Sequence, residues 1–196
     1  MENEITLAKG DAGCGKSFVS LYAALKMLEK GQIEKIGLIK SITSLEDECL
    51  QALPGGIYEK MEPYMWSFFF QIDKLIGEQE RKRLVGEGKI CILPLNFLRG
   101  VSLDNYCLVV DEAQNLNYTV FKTVMTRIGE NNHVVYLGDC SQIDFKDKKR
   151  SVLGDIVDAF KNDPIPGIHT VEFLPEDCVR NPLIPKILER LKTIEK

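Results

Sequence analysis

The chain has 196 residues, a formal charge of −4, a pI near 5.4, and 44% hydrophobic against 28% charged residues. That balance fits one well-cored soluble domain and excludes a protein whose whole surface traps nucleic acid, although a local basic groove is compatible with it. No apolar run is long enough to cross a membrane, the acidic start Met1-Glu2-Asn3-Glu4 is no secretory or transit signal, and six scattered cysteines without a C-x-x-C pair argue against a zinc site or disulfide framework. A cytoplasmic protein is therefore expected.

Ile5 to Ala8 reads as a short buried strand. Gly10-Asp11-Ala12-Gly13-Cys14-Gly15-Lys16-Ser17 follows and fits the phosphate-loop pattern G-x-x-x-x-G-K-[ST] without mismatch. Behind it, Phe18, Val19, Leu21, Tyr22, Leu25 and Leu28 recur at helical spacing. Lys35 to Lys40 predicts a second strand, Ser41 to Ser44 a polar loop, and Asp47 to Leu53 a short helix stopped by Pro54-Gly55-Gly56. From Ile57 to Ile76 the pattern is helical, interrupted at Pro63. Its stretch Tyr64-Met65-Trp66-Ser67-Phe68-Phe69-Phe70 is apolar on nearly every side, which predicts burial all round, in the core or against another subunit; base stacking is the alternative. Arg81-Lys82-Arg83 closes that region.

Lys89 to Leu93 reads as a strand, and Pro94 to Ser102 as a loop carrying Arg99-Gly100. Tyr106 to Val110 is a continuous apolar strand of the kind buried on both faces of a parallel sheet. A helix over Leu116–Ile128, a strand over His133–Leu137, a loop over Gly138–Arg150, a helix over Val152–Phe160, a strand over His169–Leu174 and a helix over Leu183–Ile194 complete the chain. Alternating strands and helices predict an α/β fold with a mostly parallel sheet flanked by helices, as a single domain over residues 1–196.

Three loops carry the chemistry. In the first, the glycines let backbone N–H groups turn inward at a helix N-terminus, where the macrodipole favours an anion. Gly10, Asp11, Ala12, Gly13, Cys14, Gly15, Lys16 and Ser17 are thus expected to bind a nucleoside triphosphate, with Lys16 on the β- and γ-phosphates and Ser17 on Mg²⁺. The second loop, Asp111-Glu112-Ala113-Gln114-Asn115, follows the buried strand: Asp111 is expected to share the Mg²⁺ with Ser17, and Glu112 to polarise the attacking water. In the third, Gly138-Asp139-Cys140-Ser141-Gln142-Ile143-Asp144, the Gln142 amide is placed to sense the γ-phosphate or orient the water. Charge developing on the phosphoryl group also calls for an arginine. Spacing leaves Arg99, Arg127, Arg150 and Arg180 as candidates.

With these motifs in order, the chain resembles the PhoH-like family of P-loop ATPases, relatives of superfamily 1 helicase cores. The resemblance is carried by Gly10–Ser17, Pro54-Gly55, Phe97-Leu98-Arg99-Gly100, Asp111–Asn115, Thr126-Arg127-Ile128-Gly129, Gly138–Asp144 and Glu176-Asp177-Cys178-Val179-Arg180. It implies a RecA-like fold, ATP as nucleotide, a role in RNA metabolism or phosphate starvation, and a homo-oligomeric ring such as a hexamer. By analogy with helicase motif VI it favours Arg180 as the γ-phosphate arginine, acting across a subunit boundary. The family usually has an adenine-recognising segment before the loop, where nine residues precede Gly10 here, and often Thr-Arg-Pro where this chain has Ile39-Lys40-Ser41. The resemblance covers no ribonuclease-type domain, so nuclease activity is not carried over. The leading expectation is an ATP hydrolase coupled to single-stranded RNA, with Lys146-Asp147-Lys148-Lys149-Arg150 as a candidate phosphate contact. The alternatives are a nucleoside-type small-molecule kinase, since thymidine kinases also place Asp-Glu-Ala-Gln after a buried strand, and a nucleotide-gated binding module with little turnover.

Overall fold

The computed structural model describes residues 4–41, 60–95, 98, 102–144, 151–177, 187 and 190. The helix expected over Asp47–Leu53 lies outside them, as does that over Leu183–Ile194 apart from residues 187 and 190, both helical.

Among the described residues six strands form one sheet: β1 (Glu4–Lys9), β2 (Lys35–Lys40), β3 (Ile90–Ile92), β4 (Tyr106–Asp111), β5 (His133–Gly138) and β6 (Ile168–Glu172). The order across it is β3-β2-β4-β5-β1-β6, and every pairing is parallel. Burial follows that position. Four consecutive residues of β4, Cys107 to Val110, are buried, as a central parallel strand covered on both faces requires. Edge strand β6, by contrast, has no buried residue.

Helices α1 (Lys16–Glu29), α2 (Trp66–Ile76) and α3 (Glu78–Gly86) cover one face, where Leu21, Met65, Phe68, Ile72 and Leu84 pack on Ile36, Leu38 and Val109. Helices α4 (Tyr118–Met125) and α5 (Leu153–Asn162) cover the other, with Phe121, Val124, Leu153 and Val157 on Leu7, Leu108, Val110 and Tyr136. The rings of Phe121 and Tyr136 stack at 4.3 Å between centroids. Helix boundaries have local causes. Asn117 caps α4 by accepting from the Val120 N–H at 3.0 Å, and Gly77, at φ 82°, separates α2 from α3 in a backbone conformation that glycine adopts without strain.

The structure refines three sequence readings. Within this chain the aromatic run divides: Phe68 and Phe69 enter the core, whereas Trp66 and Phe70 are 71% and 54% exposed and stack on one another, so the core does not account for the whole run. On α1, Leu21 and Leu25 form the buried stripe while Phe18, Val19 and Tyr22 face outward. The helix expected from Leu116 begins at Tyr118, after a 3-10 turn over Ala113–Asn115. Among the described residues no helix is long and apolar enough to cross a membrane.

Candidate nucleotide site

The three loops read from the sequence all leave the C-terminal ends of parallel strands, the edge at which open α/β sheets hold ligands. β1 delivers the phosphate-loop sequence between its two neighbours. Gly10 N–H donates to the Gly138 carbonyl at 3.2 Å on one side, and Phe173 N–H donates to the Lys9 carbonyl at 2.8 Å on the other. A Cβ on Gly10 would stand 2.6 Å from the Phe173 Cβ and 2.9 Å from its carbonyl oxygen, so the loop leaves the sheet only as glycine. Gly13 and Gly15 turn it through left-handed conformations, φ 92° and 79°. Helix α1 then starts with no side-chain cap and no acid in its first turn. Its leading N–H groups and dipole stay available to an anion.

Lys16 is 9% exposed and folds over the loop, donating to the carbonyls of Gly10 at 2.6 Å and Asp11 at 2.8 Å. An ammonium has three donors. Two fix its position here, and the third remains for a phosphate oxygen. The Ser17 hydroxyl donates to Asp111 Oδ1 at 3.2 Å, linking the loop to the end of β4 two strands away. Asp111 holds its proton more tightly than an ordinary carboxyl, first because it is buried and second because the Glu112 charge is adjacent; Lys40 and Ser17 pull the other way. A half-buried carboxylate beside a hydroxyl is a hard-oxygen pair suited to Mg²⁺, which takes one or two protein carboxylates and completes its shell with phosphate and water. The residues fit that ion.

Glu112 stands in the left-handed region, φ 56°, so its side chain leaves the strand direction at the sheet edge. Gln114 holds it. This side chain is fully buried, and its Nε2 donates both to Glu112 Oε2 at 2.6 Å and to the Gln142 carbonyl at 3.1 Å. Its Oε1 accepts from the Asp139 N–H at 3.1 Å. One amide therefore ties the second loop to both ends of the third. A further clasp joins the same loops: Asn115 Nδ2 donates to Asp144 Oδ2 at 2.6 Å, and Asn115 Oδ1 accepts from Asp144 N–H at 3.0 Å. Gly138 admits this contact, since a Cβ there would lie 2.9 Å from Gln114 Oε1 and would clash with Leu153. Glu112 and the exposed Gln142 line one polar cavity of about 180 Å³ with Lys40, Ser41, Gln114, Asn115 and Asp144. A larger hollow of about 570 Å³ between α1, α2 and α3 contains none of the loop residues.

The structure thus brings together Lys16, Ser17 and Asp111, and separately Glu112 with Gln142. Arg127 does not join them: it follows α4 at the opposite edge of the sheet, its carbonyl accepting from Leu103 N–H at 3.3 Å just before β4 begins. Arg99, Arg150, Arg180 and the basic cluster 146–150 lie outside the described residues. Lys40, Gln114 and the Asn115–Asp144 clasp are the parts that sequence reasoning missed. The signal for Gln114 and Asn115 was their place directly behind the two acids.

Sheet order and loop together define a nucleotide-binding α/β protein with the P-loop NTPase fold. Among solved structures, the chain is similar to the large terminase of a thermophilic bacteriophage, with a TM-score of 0.53 and 10% identity over 96% of this chain and 45% of that one. The sequence profile described as "PhoH-like protein" matches residues 1–192, and the chain belongs to that family. It is 34% identical to the PhoH-like protein of Bacillus subtilis (strain 168) over 95% of this chain and 58% of that protein. It is 33% identical to Protein PhoH of Escherichia coli (strain K12) over 94% of this chain and 52% of that protein. The chain spans about half the length of the curated relatives it matches.

Proposed function

We propose that residues 1–196 act as one Mg²⁺-dependent ATP-hydrolysing domain in the cytoplasm. The observation that carries this reading is the Ser17–Asp111 hydrogen bond at 3.2 Å, which sets a metal-suited oxygen pair beside Lys16 at the mouth of the loop. Backbone N–H groups of residues 13–17 cradle the β-phosphate, and Lys16 turns its remaining donor to the β- and γ-oxygens. Mg²⁺ would be held by Ser17 and Asp111 and would supply positive charge against the phosphates. Glu112 accepts the proton of the water whose oxygen attacks the γ-phosphorus, and Gln142 orients that water. ADP leaves with the bridging oxygen, and the proton passes from Glu112 to the solvent.

Coupling to single-stranded RNA is the second half of the proposal. Its support is the exposed Trp66–Phe70 stack on α2, with Lys74 Nζ 4.4 Å from the centre of the Phe70 ring, a combination that suits unpaired bases and phosphates. Arg180 is assigned to the γ-phosphate of a neighbouring subunit in a homo-oligomeric ring. Steady-state hydrolysis with and without single-stranded RNA tests the reading, with Lys16→Ala as the blank and molar mass recorded alongside. Orthophosphate release without an acceptor separates the hydrolase from the kinase alternative. Turnover at the level of the blank in both conditions would leave the nucleotide-gated binding module.

A further inference from the structure

Lys40 is the last residue of β2, and its register partner on β4 is Asp111. Paired residues on neighbouring parallel strands point to the same face, with the strands about 4.8 Å apart. Leu38 and Val109, one register step earlier on that face, both lie in the core beneath α1 and α2. Lys40 therefore leaves the sheet beside Asp111, on the side from which Ser17 approaches. Its Nζ donates to Ser67 Oγ on α2 at 3.1 Å, and among the described residues it makes no ion pair. It also lines the small polar cavity that holds Glu112 and Gln142. Among the described residues this half-buried ammonium has no ion-paired carboxylate; it stands in register with the proposed metal-holding acid, whose charge it favours, and lines one cavity with the proposed water-activating one, a position suited to meeting a phosphate oxygen.

We propose that Lys40 is a catalytic residue contributed by the same chain: its ammonium contacts a γ-phosphate oxygen across from Lys16 and stabilises the charge that grows there as the bridging P–O bond breaks. This rests on the hydrolase reading. It supplies within one subunit the positive charge otherwise sought among the arginines, and Ser67 aims the side chain.

The test compares Lys40→Met, Lys40→Gln, Lys40→Arg and Ser67→Ala in the full chain. It measures kcat, thermal midpoint, and affinity for Mg²⁺ with ADP or with a non-hydrolysable ATP analogue. Removing a single charge-stabilising donor typically costs about 10²-fold in kcat, and that is the loss expected for Lys40→Met and Lys40→Gln. The analogue should bind about tenfold more weakly with ADP binding unchanged, since one contact of this kind is worth roughly 1.4 kcal/mol. Lys40→Arg should recover most of both, and Ser67→Ala, which removes the contact that aims Lys40, should lower kcat by a smaller factor than Lys40→Met while leaving ADP binding unchanged. A kcat within about threefold of wild type, or equal losses for ADP and the analogue, would overturn the proposal, the latter marking Lys40 as structural. If the wild type turns over no faster than Lys16→Ala, the hydrolase reading fails by itself. The analogue-to-ADP ratio then decides the Lys40 contact alone, supported if Lys40→Met abolishes the preference and overturned if the preference persists or was never there. Should Lys40→Met not fold, Lys40→Gln carries the same comparison.

Discussion

Replacing Gln114 by leucine, a side chain of similar size, tests whether one buried amide holds the two catalytic loops in register. The fully buried side chain makes three hydrogen bonds, and their losses are unequal. The Asp139 N–H, on a residue 7% exposed, would lose the acceptor it has at 3.1 Å, at a cost of about 1–3 kcal/mol for a buried donor without a partner. The Gln142 carbonyl and the Glu112 carboxylate both border the cavity, where water replaces most of what they lose. Leucine's apolar burial returns about 1 kcal/mol at most in a site shaped for an amide. The net expectation is a loss of about 1–2 kcal/mol, a fall in thermal midpoint of about 2–8 °C for a chain of this length. Turnover should fall further than stability implies, because Glu112 loses its guide at 2.6 Å, while ATP affinity holds since no hydrogen bond of the phosphate loop itself is removed. Thermal unfolding, nucleotide titration and steady-state kinetics on the same preparation measure all three. A midpoint within about 1 °C of wild type together with kcat within about threefold would refute the argument.

Tyr136 is fully buried, and its hydroxyl has no hydrogen-bond partner among the described residues. Tyr136→Phe should therefore stabilise the protein by about 1 kcal/mol, and a destabilisation of that size in denaturant would reveal a partner. Glu112→Gln should abolish turnover while keeping ATP bound, so a variant that still hydrolyses at the wild-type rate would remove Glu112 from the role of base. For Asp111 the sign follows from its raised native pKa: the folded state binds that proton more tightly than the unfolded chain. Its contribution is present below the ordinary carboxylate range and is lost as pH rises through the raised value. The metal-free wild type should thus lose stability relative to Asp111→Asn over that rise, and Mg²⁺ with nucleotide should reverse the loss. A difference between the two proteins that stays flat from about pH 4 to 7 would contradict this.

Much of the fold was legible because parallel strands write continuous apolar runs. Cys107 to Val110 are buried as their sequence demands, and β2 has the bounds expected of it. Legibility failed where the pattern was saturated or faint. In Trp66-Ser67-Phe68-Phe69-Phe70 apolar residues occupy every direction around the helix, so periodicity had no means of saying that Trp66 and Phe70 point outward. Helix α3 buries only Leu84 and is held by charge pairs, Arg83 with Glu80 and Glu87, and Arg81 with Asp73 at 2.6 Å; an apolar repeat never announces such a helix. The loop motifs gave the residue types of the site but not its wiring. That Gln114 bonds both Glu112 and the third loop, and that Lys40 stands in register with Asp111, depends on tertiary placement that one sequence does not encode locally.

The wiring follows from the strand order. β5 lies between β1 and β4, so the phosphate loop and the acids are separated by two interstrand spacings, about 9.6 Å at the sheet. Ser17 and Asp111 bridge that gap above the sheet edge, and the loop leaving β5 occupies the space between. That loop is bonded in both directions: Gly138 accepts from Gly10 of the phosphate loop at 3.2 Å, and the segment from Asp139 to Gln142 is held by Gln114 behind the acids. Any movement of residues 138–142 when a γ-phosphate arrives or departs must therefore strain the contact to Gly10 or carry Gln114 with it. Since Gln114 also grips Glu112, the proposed base is set by the same displacement that reports the phosphate. A double-mutant cycle of Gln142→Ala and Gln114→Leu on kcat reads this directly. If the two act through one rigid link, the double variant should be little slower than the slower single variant; losses that multiply would place sensing and base positioning on separate routes.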